Sequence, residues 1–567
     1  MYRFLYMNVY IPLIILIVNV LHIQASDIPC AVYCSKDTIN LGKCYVNDEL
    51  IDTMSITNTS AFPITISNPD IYSRFPVFAC INVSTNTLQP NQTAIYTFSF
   101  RTVHNISYSA TATFSIGCAS GFYSRSVILK AQSEYQDTEF AFTQNLEGQA
   151  LYNALNAYLQ NQTVYSYSDA RTHMFGKADN VNGYVECIYT GRKIQTNGIP
   201  NANDFNCEHS WPQSKGSDKE PARTDIYHLY PSDSKSNEKR SNNPFGNVTR
   251  SILWEVGGSK LGLPTGSSDT TFEPRDASKG NIARGMLYYC TRYGNRKGTY
   301  DKDGFLTGME TTLREWNKKD PVDQREKDRC ESIASVQKKK NPYVDHPEII
   351  DRMYKLSTQP EFPLYPEPIT NPKGIYLAIN SPNDSIDLMI PISNKGNQFA
   401  KVLSTEFRPS TESAAIISID TIIKPGVISY AKIRLKQGVS SGTALRIRFA
   451  DGLSTLPIPI STEIPSSVQD IVNYEAPMIN ISPNPGIQGF DQYISFQVQS
   501  RKDISLKIFD IQGKELADLS ASIDWQGLDG RIAIPSKLLS YPTLLCRVHS
   551  IYGTRTQLLF TGASDEK

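Results

Sequence analysis

The chain has no excess of either charge: 56 Lys and Arg balance 56 Asp and Glu. That excludes a uniformly basic molecule that coats a polyanion, although a local basic cleft stays open. Beyond its first residues no stretch approaches the roughly 20 apolar residues of a membrane-spanning helix. None of the ten cysteines forms a Cys-x-x-Cys pair, which argues against a zinc site built on paired thiolates. Apolar and aromatic residues are not scarce. A hydrophobic content of 40%, with 31 Tyr and 23 Phe, belongs to a folded, strand-rich chain. At 567 residues the length suggests about three to five domains.

Residues 1–4 carry one Arg, residues 11–20 are almost wholly apolar, and Ala25-Ser26 offers small residues for cleavage. This pattern predicts a secretory signal peptide over 1–25, a mature chain beginning near Ser26, and no membrane anchor once it is removed. Export implies an oxidising compartment. The four central cysteines, Cys187, Cys207, Cys290 and Cys330, are therefore expected to form at least one disulfide, with Cys187–Cys207 the preferred pair.

From 27 to 132 short alternating stretches are broken by Asn, Ser, Pro and Gly, as expected of a β-sandwich. Residues 135–354 differ. Helical patterns appear at 151–160, 279–293 and 324–338, and charge density rises. Five prolines between 360 and 372 suggest an extended linker. Alternation returns over 373–462 as a further sandwich, and a last β module spans 478–563. The expected fold is thus an α+β core flanked by all-β sandwich domains.

The chemistry concentrates between 205 and 246. A short strand ending at Glu208-His209 is followed by a loop of about 16 residues, a second strand at 226–230, and a short helix capped by Ser232 or Asp233 and ending near Asn242. A hairpin followed by a helix can bring Glu208 and His209 near Asn237. A carboxylate and an amide oxygen suit a hard, oxygen-seeking ion such as Mg²⁺. A neutral imidazole can take a proton from an attacking water. Phosphodiester hydrolysis needs both.

These residues, with Pro212 and the run Asn237-x-x-Arg240-Ser241-Asn242, resemble the endonuclease I family of secreted ββα-metal (His-Me finger) nucleases. Segments 185–190, 272–274, 279–284 and 341–347 fall in the family's order, so the resemblance covers residues 148–350. Tyr227-His228 stands where many relatives have His-His. The resemblance implies a ββα-metal motif and cleavage of DNA, with RNA as a further substrate, without strong sequence specificity. It implies His209 as general base and Glu208 and Asn237 as ligands of Mg²⁺ or another divalent cation. Arg223, Arg240 and Arg284 compete for the phosphate-stabilising role, with Arg240 preferred for its closeness to Asn237. His228 and Asn242 are supporting candidates.

The first sandwich resembles immunoglobulin-like modules of bacterial surface proteins. Ile481-Ser482-Pro483-Asn484-Pro485 with 504–515 resembles a type IX sorting domain, implying secretion machinery as a partner and a secreted or cell-surface location. A second reading, a surface adhesion protein with an inactive nuclease domain, rests on the same flanking sandwiches.

Overall fold

The computed structural model describes residues 31–118, 121–294, 304–370, 375–377, 385–440, 442–450, 455–461, 478–482, 493–497, 504–510, 514–526, 529–535, 538, 543–550 and 553–560. The expected signal peptide (1–25), Ser26 and the Pro483-Asn484-Pro485 part of the sorting-like motif lie outside the described residues.

The first module is a sandwich. Strand β1 (Glu49–Asn58) pairs antiparallel with β2 (Thr93–Arg101), and their sheet packs on a second containing β3 (Ser107–Cys118) and β4 (Gly121–Glu134). Along β2 the alternate residues Ala94, Tyr96, Phe98 and Phe100 are buried, the period-two pattern of a half-buried strand. Cys118, at the end of β3, is disulfide-bonded.

The middle domain is built around one helix. Helices α1 (Gly148–Gln160) and α2 (Tyr167–His173) precede a two-stranded antiparallel sheet of β5 (Phe205–His209) and β6 (Leu229–Asp233). Helix α3 (Ser234–Arg240) follows at once and packs back on both strands. The helix α4 (Asp276–Tyr293) is buried over most of its length against α1, the helix at Glu310–Lys319 and the turn at Ile226–His228. Helix α5 (Gln324–Gln337) closes this core, and its Glu326 pairs with buried Arg284 of α4 through bonds of 2.7 and 2.6 Å.

The second strand of the hairpin begins three residues later than its alternation suggested. Asp225 accepts a hydrogen bond from the Tyr227 backbone N–H, and this cap folds Ile226–His228 into a 3₁₀ turn. The expected 360–372 spacer is also not a free linker. Glu361 accepts from the Gln149 N–H at 2.6 Å at the start of α1, where a carboxylate complements the helix dipole.

Beyond it, β7 (Ile375–Leu377) adds antiparallel to β4 and parallel to the strand Thr455–Ser461. The first sandwich and the one after the middle domain therefore share a continuous sheet. The last module is a pair of four-stranded sheets. Among the described residues no helix is long and apolar enough to cross a membrane.

Candidate active site

The register of β5 on β6 sets the site. Asn206 faces Ser232, Cys207 faces Pro231, Glu208 faces Tyr230 and His209 faces Leu229. Alternation sends Asn206 and Glu208 toward α3, and Cys207 and His209 toward the other side. Helix α3 starts where it does because the Asp233 side chain accepts from the Lys235 and Ser236 N–H groups at 3.0 and 3.3 Å.

Glu208 is almost fully buried. Its Oε1 accepts from the Tyr189 hydroxyl at 2.8 Å and lies 3.3 Å from Arg240 Nη1. Neither contact involves Oε2. Burial pushes the carboxyl up to about 7, against the opposing pull of Arg240 and Tyr189. Asn237, on α3, donates from Nδ2 to Asn206 Oδ1 at 2.6 Å, which assigns the amide orientation and leaves Asn237 Oδ1 uncommitted. Glu208 and Asn237 share no hydrogen bond. They are joined through β5, because Asn206 stands two residues before Glu208 on the same face.

His209 is 7% exposed. Its Nε2 donates to the Arg223 carbonyl at 3.1 Å, so Nδ1 is the basic nitrogen, with Gln213 Nε2 3.5 Å away. Burial, then His228 and the nearby arginines, holds its pKa down at about 3, which keeps the ring neutral at ordinary pH. The ring lies parallel to Tyr167 (5.9 Å, 25°) and edge-on to His228 (5.7 Å, 63°).

The expected supporting residues divide. His228 is fully buried, its Nε2 on the Ala222 carbonyl at 2.6 Å, and it packs between His209 and Tyr289. Asn242 is exposed. Its neighbour Asn243 instead holds the end of α3, donating to the Arg240 carbonyl at 3.0 Å.

Arg240 does not present a free cation to a phosphate. It is 1% exposed, donates to the His209 and Ser210 carbonyls at 3.2 and 2.5 Å, and faces Phe245. Arg284 is likewise committed, to Glu326. Arg223 is the partly exposed one of the three: its nearest carboxylate, Glu220, is 3.9 Å away.

No disulfide joins the central cysteines: Cys187, Cys207, Cys290 and Cys330 are all buried free thiols. The preferred Cys187–Cys207 pair fails for a steric reason. The Cys187 sulfur sits on the α3 side, accepting from the Asp233 and Thr190 N–H groups at 3.1 and 3.3 Å and touching Ser236 Oγ at 3.5 Å. Cys207 points to the opposite face.

Tyr189 and Asn206 escaped the sequence reading. Tyr189 lay in a recognised segment but carried no role of its own, and only packing brings it to Glu208. Asn206 could have been found from the period of two that it shares with Glu208.

Among the described residues no group of three His, Cys, Asp or Glu could hold a metal ion. The donor set is leaner: Glu208 Oε2 and Asn237 Oδ1, two oxygens without protein partners among the described residues. That fits a hard divalent cation, which keeps most of its shell as water and substrate oxygen.

Residues 138–348 match the family model described as Endonuclease I. The chain is 33% identical over 238 residues to the extracellular ribonuclease of Bacillus subtilis (strain 168), covering 38% of this chain and 78% of that protein. It is 32% identical over 264 residues to the extracellular ribonuclease of Bacillus amyloliquefaciens, covering 44% and 88%. Among solved structures, a PapD-like domain of human CEP192 is 12% identical and covers 19% of this chain and 89% of its own, at a TM-score of 0.17. A likeness that slight carries no argument about the fold.

Proposed function

The chain belongs to the endonuclease I family and is a nuclease, a hydrolase of phosphodiester bonds; from that premise we propose that it is a secreted, divalent-metal-dependent endonuclease with a ββα-metal site made by β5, β6 and α3. The observation that carries the reading is the pair of oxygens without partners among the described residues, Glu208 Oε2 and Asn237 Oδ1, beside the His209 Nδ1 lone pair, which meets only a long contact from the Gln213 amide at 3.5 Å.

A bound divalent cation would supply charge neutralisation at the scissile phosphate and help the leaving oxygen depart. Glu208 and Asn237 would hold it. Tyr189 and Arg240 fix the Glu208 carboxylate by its other oxygen, and Asn206 turns the Asn237 amide so that its oxygen faces outward. His209 accepts the proton of the attacking water at Nδ1, while the Arg223 carbonyl holds the opposite nitrogen as N–H. Arg223, partly exposed beside His209, takes the phosphate-stabilising role in place of Arg240.

The substrate is nucleic acid gripped by its backbone, so sequence discrimination is weak. That both curated relatives are named extracellular ribonucleases supports RNA as a substrate beside DNA, and supports an extracellular location. The C-terminal module, as a sorting domain, would engage secretion machinery.

The test is nicking of a plasmid and digestion of a structureless RNA, each with Mg²⁺ and with chelator. Cleavage that stops on chelation and returns with the metal is expected. A folded chain that cleaves neither polymer would leave the adhesion reading in its place.

A further inference from the structure

Buried and half-buried arginines in the catalytic domain are nearly all matched by a carboxylate. Arg284 faces Glu326, Arg292 faces Asp225, Arg314 faces Glu310 and Arg329 faces Asp179. Arg171 is the exception that lies beside the reaction centre. It sits in the last turn of α2, only partly exposed, and no carboxylate among the described residues pairs with it. Its guanidinium carbon lies 5.4 Å from the centroid of the Tyr167 ring, one turn earlier on the same helix face. Arg223 packs on the same ring at 4.6 Å. Both arginines have a buried Nε–H with no hydrogen-bond partner, as do Arg240, Arg292 and Arg352 of the same domain, and what sets this pair apart is the tyrosine they share beside His209.

Leaving buried guanidinium donors unspent costs free energy, because the lost hydration is not replaced. Cation–π contact with one tyrosine offsets only part of that cost. The group that completes both is an anion, and planar N–H forks match the oxygens of a phosphodiester. Tyr167 ties this pair to the chemistry, since its ring lies parallel to that of His209.

We infer that Arg171, held on Tyr167, is a subsite for the phosphodiester next to the scissile one, so that the enzyme takes a polynucleotide strand across consecutive phosphates. This rests on the nuclease reading above. Arg223 serves the reacting phosphate and Arg171 the flanking one. Tyr167 positions both cations and contributes no chemistry itself.

The test uses the full chain carrying His209→Ala, to prevent cleavage, and a fluorescein-labelled single-stranded oligonucleotide of about a dozen residues. Its affinity is read by anisotropy over a range of salt. Adding Arg171→Gln should weaken binding about tenfold and make the salt dependence shallower by about 0.7 in log–log slope, the loss of one phosphate contact to a single strand. Arg171→Lys keeps the charge and should keep the slope, which a merely structural arginine would not require. Unchanged slope and affinity in a folded Arg171→Gln protein overturn the inference. So does an Arg171→Lys protein that loses the slope as fully as Arg171→Gln. Failure of the nuclease reading looks different: the parent chain neither cleaves nucleic acid nor binds the oligonucleotide.

Discussion

Adjacent residues on a strand look to opposite sides of a sheet, so Glu208 and His209 meet different surroundings although they are neighbours in sequence. The carboxylate is clamped by Tyr189 and Arg240, and the imidazole is wedged between Tyr167 and His228. Their substitutions should therefore separate. Glu208→Ala and Asn237→Ala remove the proposed cation ligands, and part of the activity should return as Mg²⁺ is raised. His209→Ala removes the proposed proton acceptor, with an expected loss on the order of 10²- to 10⁴-fold in turnover that added metal does not restore. Near-normal turnover of His209→Ala at saturating Mg²⁺ would contradict the assignment. Tyr189→Phe probes the clamp alone. Losing a hydrogen bond to a buried carboxylate should cost about 1.5–3 kcal/mol in urea unfolding and weaken Mn²⁺ binding followed by electron paramagnetic resonance. Unaltered Mn²⁺ affinity would mean that Tyr189 does not orient Glu208.

Helix α3 has only seven residues, too few to persist without tertiary support. Asp233 caps its first turn and also pairs with Arg192 at 2.8 Å, while the Cys187 sulfur accepts the Asp233 N–H. Asp233→Ala should destabilise the catalytic domain by about 1 kcal/mol and weaken divalent-cation binding through misplacement of Asn237. Asp233→Asn keeps a capping oxygen and should recover most of both, as measured by thermal melting and metal titration. Equal melting temperatures for Asp233→Ala and the parent chain would show that packing alone holds the helix.

The two ends of the catalytic domain meet at His346. Its ring stacks on Tyr135, its Nε2 lies 2.7 Å from Asp137, and its Nδ1 lies 3.3 Å from Glu348. Burial pulls the His346 pKa down, but Glu348 and Asp137 outweigh it and the net shift is upward from 6.5. A raised folded-state pKa means stability that is fully present below the ordinary histidine value and lost as pH rises through the shifted one. Urea midpoints should fall as pH rises above the ordinary histidine value, and His346→Gln should flatten that fall; an identical slope in the variant would remove His346 as its cause. The same scale governs modularity. Because Glu361 caps α1, a fragment spanning 135–370 should melt above one spanning 135–354, and both should cleave nucleic acid. An inert but folded longer fragment would show that a flanking sandwich contributes to the site.

The sequence by itself determined the local features. Glu208-His209 at a strand end, Asn237 on the helix that follows, and the helical patterns at 151–160, 279–293 and 324–338, which the structure extends or trims by one to three residues, all rest on periodicity and caps that act within a few residues. The strand boundary slipped because one side chain, Asp225, diverted three residues into a turn. What only tertiary structure decided was which distant side chains meet. Tyr189 reaches Glu208 from another segment, and Arg240 is consumed by three carbonyls and a carboxylate. Cys187 and Cys207 fall on opposite sides of one small sheet, and Arg171 is left without a carboxylate among the described residues. Each of these outcomes depends on register, and a shift of one residue along a strand reverses the face every side chain presents. Composition and spacing carry no record of that choice.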